Sequence, residues 1–373
     1  MTPADVRNLF PILEERAYLF SGGIAPASTP MLTALKHHLA ALTHKTGDLY
    51  PNFMDETRAL RESYAELMGA DTDEIAVNDS TSAGSSLAVS LISPKPGGNV
   101  VFDGFPYPSS VYPWMLPPRD TLERRFVPPR DGLIHMEDME RAIDDNTVAV
   151  SVSHVTPAQG FRHDIGALAK LAHAHGALLL VDGAQSAGAL NIDLHATGVD
   201  FFSTTAMKWL LGPAGVGFLY VAERHLDRQP STAGWVSTTQ TDLEELQLQP
   251  SAERFQLGMP NLMGVAATLP GIAILLETGM AAVEAHVLDL TEYCIEGLQE
   301  RGITVRTPRD STRRGGVIAA EIDDAGDLQA YLTAHGVDTY FLRNLFRVDP
   351  HVFNDRTDID RLLAGIDAFR AGH

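Results

Sequence analysis

The sequence contains very little cysteine. Cys294 is the only cysteine among 373 residues, so no disulfide can form within the chain, and a zinc site with several cysteine ligands is excluded. Such usage is typical of proteins in a reducing compartment. We therefore expect a cytoplasmic protein that has no covalent cross-links.

Positive charge and long hydrophobic runs are also scarce. The chain has 28 Lys and Arg against 48 Asp and Glu, a formal net charge of −20, and this charge repels phosphate backbones and anionic lipid surfaces. The longest nearly apolar stretch, residues 263–276, contains Gly and Pro and is too short to span a bilayer. The N-terminal residues show no basic segment followed by an apolar one. We expect neither nucleic acid nor a membrane as a partner.

The chain is long enough for more than one hydrophobic core. At roughly 150 residues per domain, the 373 residues predict two or three domains. Apolar residues make up 45% of the chain and charged residues 20%, which is close to the average of globular proteins. The composition therefore predicts a folded protein rather than a disordered or fibrous one.

Short apolar runs rich in β-branched residues alternate with helical stretches in the first two thirds of the chain. Five of these runs are strand candidates: residues 74–77, 99–102, 147–152, 177–181 and 217–221. They are apolar on both faces, as in a parallel sheet that helices cover on both sides. A helix over residues 168–175 ends at Gly176 and leads directly into the next strand, which predicts a βαβ crossover.

The pattern changes after about residue 250. Long helical stretches cover residues 262–276 and 280–301, alternating segments follow at 317–322 and 346–348, and a last helix covers 357–369. This change predicts a large domain over residues 16–255 and a smaller α+β domain over residues 256–373, with residues 1–15 packing on the smaller one. We therefore expect an α/β fold with a mostly parallel central sheet covered by helices and a smaller C-terminal domain.

Ligands of parallel α/β sheets bind at the carboxyl ends of the strands, so polar residues at these ends are candidate site residues. Asp182 and Gln185 follow a predicted buried strand, where an unpaired charge is costly. Lys208 lies between Met207 and Trp209, so we expect it to be partly desolvated, with a lowered pKa suited to Schiff-base chemistry. The ordinary alternative for Lys208 is a surface lysine.

Two loops add to these candidates. Residues 78–84 are small and hydroxyl-bearing and lead into a helix, so they can present N–H and OH groups to an anion, although an ordinary helix N-cap is the alternative. Residues 105–114 form an aromatic loop that can stack on a flat ligand or pack as a corner. A lysine, a buried carboxylate, an anion-binding loop and an aromatic loop together predict pyridoxal 5′-phosphate as the cofactor.

The sequence also resembles a known family. Residues 18–26, 107–114 and 346–354 read Tyr-Leu-Phe-Ser-Gly-Gly-Ile-Ala-Pro, Tyr-Pro-Ser-Ser-Val-Tyr-Pro-Trp and Phe-Arg-Val-Asp-Pro-His-Val-Phe-Asn. With these motifs the chain resembles the class V aminotransferase superfamily of fold-type I pyridoxal-phosphate enzymes, in particular its isopenicillin N epimerase-like branch, which is related to cysteine desulfurases and kynureninases. The resemblance implies a homodimer that acts on a small-molecule amino acid.

The resemblance also implies a role for each candidate site residue. Lys208 forms the Schiff base, Asp182 pairs with the pyridine nitrogen, Gln185 bonds the phenolic oxygen, Tyr107 stacks on the ring, His154 is either structural or a contact of the ring region, Arg347 binds the substrate α-carboxylate, and the phosphate ligands are Ser80, Thr81, Ser82 and Thr205. A planar guanidinium suits Arg347 to this role because it can pair with a carboxylate through two hydrogen bonds.

Several positions depart from the family pattern. Met207 stands where relatives often have His or Tyr, and Met259 stands where a Thr of the partner subunit commonly reaches the phosphate. Asp349 replaces the usual Ser beside Arg347. We expect the change at Asp349 to alter the choice of substrate.

The sequence narrows the choice of reaction only by excluding one candidate, the cysteine desulfurase reaction. A cysteine desulfurase needs a cysteine in a loop expected around residues 315–345, and this stretch has none. Cys294 lies in a predicted helix and is expected to be a buried apolar residue. We expect an aminotransferase or a Cβ (C–S) lyase that removes the proton at the substrate Cα. The alternatives are an amino-acid racemase or epimerase and, more remotely, a non-catalytic pyridoxal-phosphate-binding protein.

Overall fold

A seven-stranded sheet forms the centre of the computed structural model, which describes residues 1–44, 49–239, 244–342 and 345–372. The strands of these residues are β1 (Ala17–Tyr18), β2 (Ile75–Asn78), β3 (Asn99–Asp103), β4 (Glu123–Val127), β5 (Thr147–Ser153), β6 (Leu178–Asp182), β7 (Phe201–Thr205), β8 (Gly217–Val221), β9 (Thr304–Val305), β10 (Ile318–Glu321), β11 (Val337–Asp338), β12 (Tyr340–Leu342) and β13 (Leu345–Val348). The helices are α1 (Pro3–Arg7), α2 (Thr29–His44), α3 (Leu49–Met68), α4 (Thr81–Ser90), α5 (Pro108–Val111), α6 (Met136–Ala142), α7 (Ile165–Ala174), α8 (Leu194–Thr197), α9 (Leu262–Thr278), α10 (Met280–Glu300), α11 (Ala325–Ala334) and α12 (Arg356–Gly372).

The strand order of the central sheet is β2-β8-β7-β6-β5-β3-β4. From β7 to β4 all neighbours are parallel, whereas β8 runs antiparallel to both β7 and β2. Strand β2 therefore runs in the same direction as β7, and the carboxyl ends of all strands except β8 lie at one edge of the sheet. This architecture confirms the predicted mostly parallel central sheet.

The C-terminal part contains a smaller antiparallel sheet in the order β12-β13-β10-β9. Strands β1 and β11 form a separate parallel pair, so the chain segment before α2 is joined to the C-terminal part by main-chain hydrogen bonds. The predicted α+β character of this part is confirmed.

All five predicted strands form, as β2, β3, β5, β6 and β8. The prediction missed β4 and β7. Strand β4 is the edge strand of the sheet, and four of its five residues, Glu-Arg-Arg-Phe, are exposed or half-buried, so no apolar run marks it. Strand β7 is fully buried but carries hydroxyl residues; one of them, Ser203, shares a hydrogen bond of 2.7 Å with Ser85.

The central sheet is buried on both faces, as its apolar runs predicted. Val101 and Val150 belong to the core on one face, and Val100 and Ala149 belong to the core on the other. This alternation follows from the period of two in a β-strand. A third core fills the space between the small sheet and helices α10, α11 and α12.

The N-terminal residues contact both parts of the chain. Phe10 packs in the core of the central sheet and its ring lies 4.5 Å from that of Phe353, while Arg7 donates to Asp358 at 2.7 Å. Helix α9 also packs in the core of the central sheet. The predicted domain limits, 16–255 and 256–373 with residues 1–15 on the smaller domain, stay a prediction.

Helix α9 is the most apolar of the long helices, and nine of its 17 residues are buried. Among the residues that the structure describes, no single helix has both the length and the apolarity that a bilayer span requires. Helices α9 and α10 reach these values only as a pair that is bent by 87°.

A buried carboxylate joins several elements at the edge of the central sheet opposite the strand carboxyl ends. Asp200 accepts hydrogen bonds from the Leu179 N–H at 2.7 Å, His173 Nε2 at 2.8 Å, His225 Nε2 at 2.6 Å and Arg224 Nη2 at 2.7 Å. Burial alone would raise the pKa of Asp200, but these hydrogen bonds and the Arg224 charge outweigh it and hold the pKa well below its usual range.

We expect Asp200→Asn to lower the free energy of unfolding by about 3 kcal/mol at neutral pH, because it removes the charge of a buried carboxylate that accepts four hydrogen bonds. The lowered pKa means that the stabilisation is present above the ordinary carboxyl value of 3.8 and is lost as pH falls below it. Urea unfolding across this pH range should therefore show the two proteins converging in acid. Asp367→Asn, which removes an exposed partner of Arg301, is the matched control and should change stability little. A constant difference at all pH values would contradict the assignment.

Candidate active site

One cavity lies at the carboxyl ends of the parallel strands. It has a volume of about 650 Å³ and is partly open to solvent. Its lining includes these predicted site residues: Ser80, Thr81, Ser82, Tyr107, Asp182, Gln185, Thr205 and Lys208. Residues separated by up to 128 positions in the sequence are thus brought together by the parallel sheet.

The N-terminus of α4 faces this cavity. Ser80 is the N-cap and accepts a hydrogen bond from the Ala83 N–H at 3.2 Å, and the buried Thr81 hydroxyl has no hydrogen-bond partner within the described residues. The ten-residue helix also presents N–H groups of its first turn that have no partner inside the helix. Thr205, at the end of β7, donates only a long hydrogen bond of 3.3 Å to the Val216 carbonyl. This set of donors suits a phosphate.

Glycines allow the turn before α4 to approach β7 and β8. A Cβ at Gly217 would lie 2.6 Å from Asn78 Oδ1 and 2.7 Å from the Thr204 carbonyl oxygen, and a Cβ at Gly84 would lie 3.0 Å from Ser203 Cβ. Such distances are too short for a side chain. The glycines therefore hold the helix N-terminus close to the strand that leads to Lys208.

Asp182 is buried at the end of β6. Its described hydrogen-bond partners are the Ala184 N–H at 2.9 Å and the distant Ser110 hydroxyl at 3.5 Å, and both are neutral groups. Burial raises the pKa of Asp182, and the hydrogen bond from Ala184 and the positive charge of Lys208 oppose that rise. A protonated ring nitrogen would supply the cationic partner that a buried carboxylate requires.

Lys208 follows β7 and is half-buried. Burial lowers the pKa of its ammonium group, the charge of Arg347 lowers it further, and Asp182 and Asp349 oppose this. The lowered pKa favours the neutral amine, which is the nucleophilic form. Its Nζ lies 5.9 Å from the centre of the Tyr107 ring, and Tyr107 is 43% exposed.

Gln185 is held in place by two groups that the sequence analysis did not identify. Its Nε2 donates to the Gly22 carbonyl at 2.9 Å, and its Oε1 accepts from Trp209 Nε1 at 2.9 Å. These contacts fix which atom of the amide faces each way. The amide keeps a second N–H for the predicted hydrogen bond to the cofactor, since Nε2 carries two hydrogens.

His154 does not line this cavity. Its ring is buried, its Nδ1 has no partner within the described residues, and it faces a separate cleft that is also lined by Arg162 and Arg313. Only its main chain is tied to the site, through a hydrogen bond of 2.9 Å from the His154 N–H to the Asp182 carbonyl. A contact between His154 and the cofactor stays a prediction.

Arg347 is also absent from the cavity lining. It lies on β13 and donates from Nη2 to Asp349 Oδ2 at 2.7 Å, so a residue of the same chain holds the guanidinium that was predicted to bind the substrate carboxylate. If Arg347 does not bind the substrate carboxylate, the sequence offers Arg343 as the next candidate for that role; it lies outside the described residues.

The sequence is similar to known proteins over most of its length. A model of the Aminotransferase class-V family matches residues 17–339. YcbU of Bacillus subtilis, described as an uncharacterized aminotransferase, is 27% identical over 98% of both chains. A probable cysteine desulfurase of Halalkalibacterium halodurans is 26% identical, again over 98% of each chain.

Solved structures match the fold over nearly its whole length. The apo structure of a cysteine desulfurase from Thermococcus onnurineus superimposes with a TM-score of 0.92 at 24% identity, covering 100% of this chain and 99% of that one. A cystine C–S lyase, C-DES, in complex with its reaction product cysteine persulfide gives a TM-score of 0.88 at 22% identity, covering 95% and 98%. These superpositions confirm the predicted fold-type I architecture.

Proposed function

The chain belongs to the Aminotransferase class-V family, and on that basis we propose that it is a pyridoxal-phosphate enzyme that cleaves the C–S bond of a sulfur-containing α-amino acid. The observation that carries the proposal is the single cavity that joins Lys208, Asp182 and the N-terminus of α4, in a chain whose only cysteine, Cys294, is buried. Relatives described as cysteine desulfurases support sulfur amino acids as the substrate class.

The residues of the cavity fit the cofactor that the family implies. The Thr81 hydroxyl without a partner and the N–H groups of α4 would hold the phosphate, and Asp182 would hold the protonated ring nitrogen. Lys208, with its lowered pKa, would bind the aldehyde carbon. When bound, the cofactor withdraws electrons from the substrate Cα and so weakens the bonds at that atom.

Side chains of the cavity carry out the other steps of the proposed reaction. Lys208 Nζ takes the proton from the substrate Cα, since its lowered pKa favours the neutral amine, which can accept a proton. Asp182 keeps the ring nitrogen protonated through its negative charge. Gln185, which is fixed by Trp209 and Gly22, orients the ring. Loss of the Cα proton then allows a thiolate to leave from Cβ.

Sulfur transfer to an enzyme thiol is not supported by the position of Cys294. The side chain is fully buried in α10 within the third core, and burial raises the pKa of its thiol to about 12. Because the thiolate is the nucleophilic form, this cysteine is poorly suited to accept sulfur. Elimination, in which the sulfur leaves directly, requires no such acceptor.

We therefore expect Cys294→Ala to leave the rate of sulfide release nearly unchanged and to lower stability by about 1 kcal/mol, because only one buried sulfur atom is removed. The check is kcat for sulfide release together with thermal unfolding of both proteins. Cys294→Ser, which adds a buried hydroxyl, should be less stable but equally active. Trapping of a persulfide on Cys294 during turnover would overturn the elimination reaction.

The test of the proposed function is a product analysis. The cofactor-loaded protein is incubated with sulfur-containing and other L- and D-amino acids, with and without 2-oxo acids. We expect ammonia, a 2-oxo acid and a sulfur product from an L-amino acid when no 2-oxo acid is added. A requirement for added 2-oxo acid would instead show an aminotransferase, as the relative YcbU suggests. Interconversion of enantiomers without C–S bond cleavage would indicate an epimerase. The absence of any turnover would indicate a non-catalytic cofactor-binding protein.

We also propose that the enzyme is a homodimer with the partner subunit beside the cavity. Leu257 and Met263 are large apolar side chains that are 53% and 48% exposed, close in sequence to Met259, the predicted partner contact. Trp235 is 54% exposed and lies beside the same segment, since a Cβ at Gly258 would be 3.6 Å from Trp235 Nε1. Tyr107, at the mouth of the cavity, is similarly exposed. Sedimentation at working concentration should give a dimer, and an active monomer would contradict the proposal.

A further inference from the structure

Four serines surround a small cavity beside Asp182, between the central sheet and α4. Ser85, Ser110, Ser151 and Ser203, which we call the cavity serines, line it together with Asp182, and the other lining residues are apolar. Each of these five polar residues is at most 8% exposed. Polar side chains at this depth nearly always form hydrogen bonds, so their hydroxyl groups need partners inside the protein.

The register of the sheet places Asp182 next to Ser203. The two residues are partners in the ladder of the parallel strands β6 and β7, so their side chains lie on the same face of the sheet. Neighbouring strands are about 4.8 Å apart, which is longer than a direct hydrogen bond. Ser151 lies on the same face, because it is the partner of Leu180, two residues before Asp182. A gap of this length suits one bridging water.

The hydrogen-bonding groups of the cavity are only partly used by each other. Ser85 and Ser203 share a hydrogen bond of 2.7 Å, which uses one of their two hydroxyl hydrogens. Ser151 Oγ donates to the Ser110 carbonyl at 3.2 Å and keeps its acceptor sites. Ser110 Oγ reaches Asp182 Oδ2 only at 3.5 Å. The Ser85–Ser203 pair therefore keeps a donor, and the carboxylate keeps room for a closer partner.

The cavity has the size and the polarity that an ordered water requires. Its free space accommodates the centre of about one water molecule, and a buried water usually forms about three hydrogen bonds. The Ser85–Ser203 pair can donate to this water, which can in turn donate to Asp182 Oδ2 and to Ser151 Oγ. All the hydrogen-bonding capacity that the cavity offers would then be used.

We propose that a buried water held by the cavity serines donates a hydrogen bond to Asp182, and that these serines are positioning residues that orient the carboxylate for the ring nitrogen of the cofactor. The orienting role rests on the proposed function, whereas the water and its hydrogen bond belong to the cofactor-free chain as well. Water can donate or accept, so it contacts Asp182 in either protonation state, and its donation favours the charged one.

Lys208 and Asp103 are the charged groups that act on Asp182. Lys208 lowers the pKa of Asp182 and Asp103 raises it, and Asp103 is itself bonded to His163 Nε2 at 2.9 Å. All of these groups are the same in a serine variant and in the wild type. An effect of a serine substitution that appears only when residue 182 can ionise therefore reports on the hydrogen bond to Asp182.

The experiment is a double-mutant cycle on the full chain without cofactor. Ser203→Val removes a hydroxyl and fills the place of the water with a methyl group, and it is combined with Asp182→Asn. Loss of the water should raise the pKa of Asp182 further, by about one pH unit. The thermal midpoint of Ser203→Val should therefore fall increasingly below that of the wild type as pH rises above the ordinary carboxyl value of 3.8. In the Asp182→Asn background the cost of Ser203→Val should not depend on pH.

A crystal structure of the cofactor-loaded protein at high resolution gives the direct test. The wild type should show one ordered water in contact with Asp182 Oδ2, and Ser203→Val should show none. If Ser203→Val does not fold, Ser203→Ala serves in both measurements, because it removes the hydroxyl without adding bulk and should shift the pH dependence in the same direction.

Ser237→Ala is the control for removal of a buried hydroxyl. Ser237 is fully buried, donates to the Gln256 carbonyl and does not line the cavity. Its substitution should lower the thermal midpoint by a similar amount at every pH, as any purely structural serine would.

The outcomes separate this inference from the proposed function. A cavity without water in the wild-type crystal, or a cost of Ser203→Val that is the same at every pH in both backgrounds, overturns the inference, and the C–S cleavage still depends on the product analysis alone. If the water and the pH dependence are found in a protein that cleaves no C–S bond, the reaction is wrong and the hydrogen bond to Asp182 stands.

Discussion

Lys208→Ala is expected to lower kcat by at least ~10⁴-fold, because in the proposed reaction one side chain both binds the cofactor and moves the substrate proton. The protein should still fold, since the Lys208 side chain makes no hydrogen bond to the described residues, and its carbonyl still accepts from the Leu211 N–H. Steady-state kinetics at saturating cofactor measure the loss. Lys170→Ala, at an exposed position of α7, is the control and should keep full activity.

Borohydride reduction of the cofactor-loaded protein gives an independent check that Lys208 is the residue that binds the cofactor. Reduction should fix the cofactor to one peptide, and mass mapping should place it on Lys208. In the Lys208→Ala protein the cofactor should remain removable by dialysis after reduction. Attachment to any other lysine would contradict the assignment of Lys208 as the cofactor-binding lysine.

Asp182→Asn is expected to lower kcat by on the order of 10³-fold while changing cofactor affinity much less. The amide cannot hold a proton on the ring nitrogen by charge, whereas the proposed phosphate contacts at α4 are unchanged. Cofactor titration and kinetics on the same preparation separate the two effects. Equal losses in affinity and kcat would mean that Asp182 serves mainly to hold the cofactor.

In the protein without cofactor, Asp182→Asn is expected to stabilise the folded state. The pKa of Asp182 is raised in the folded state by burial, so folding is disfavoured as pH rises above the ordinary carboxyl pKa, where the unfolded chain carries the charge freely. Removing the charge should raise the thermal midpoint of the cofactor-free protein at neutral pH. If Asp182 had only a structural role, the substitution would lower that midpoint, because the hydrogen bond that Asp182 accepts from the Ala184 N–H would be weakened.

Much of the fold could be predicted because the parallel strands are buried on both faces. Runs such as Leu-Leu-Leu-Val at residues 178–181 of β6 have no polar face to confuse the pattern. Edge strand β4 lacked this signal, since its charged residues are exposed. Asp182 could be placed at a strand end from the apolar run of β6 alone, whereas Thr205 came from the family resemblance because β7 was not predicted. The two residues lie at the same edge because β6 and β7 are parallel.

Two of the predicted site residues, His154 and Arg347, do not line the cavity, and the contacts of Gln185 were not predicted. Ser153 and Val155 line the cavity and His154, between them, does not, as alternation along an extended chain requires; this signal was present in the sequence. The pairing of Arg347 with Asp349 was equally readable from their spacing of two residues. The contacts of Gln185 with Gly22 and Trp209 were not, because nothing local in the sequence relates these three residues.

Strand β2 has consequences for how the protein is made. Its described sheet partner is β8 alone, and β2 ends at Asn78 while β8 begins at Gly217. At about 5–20 residues per second, a ribosome needs on the order of ten seconds to make the intervening chain. During that interval β2 is an unpaired strand, so the phosphate end of the site closes late in folding. Slow synthesis or low temperature should lengthen the exposure of this edge and, with it, the dependence of the yield on chaperones.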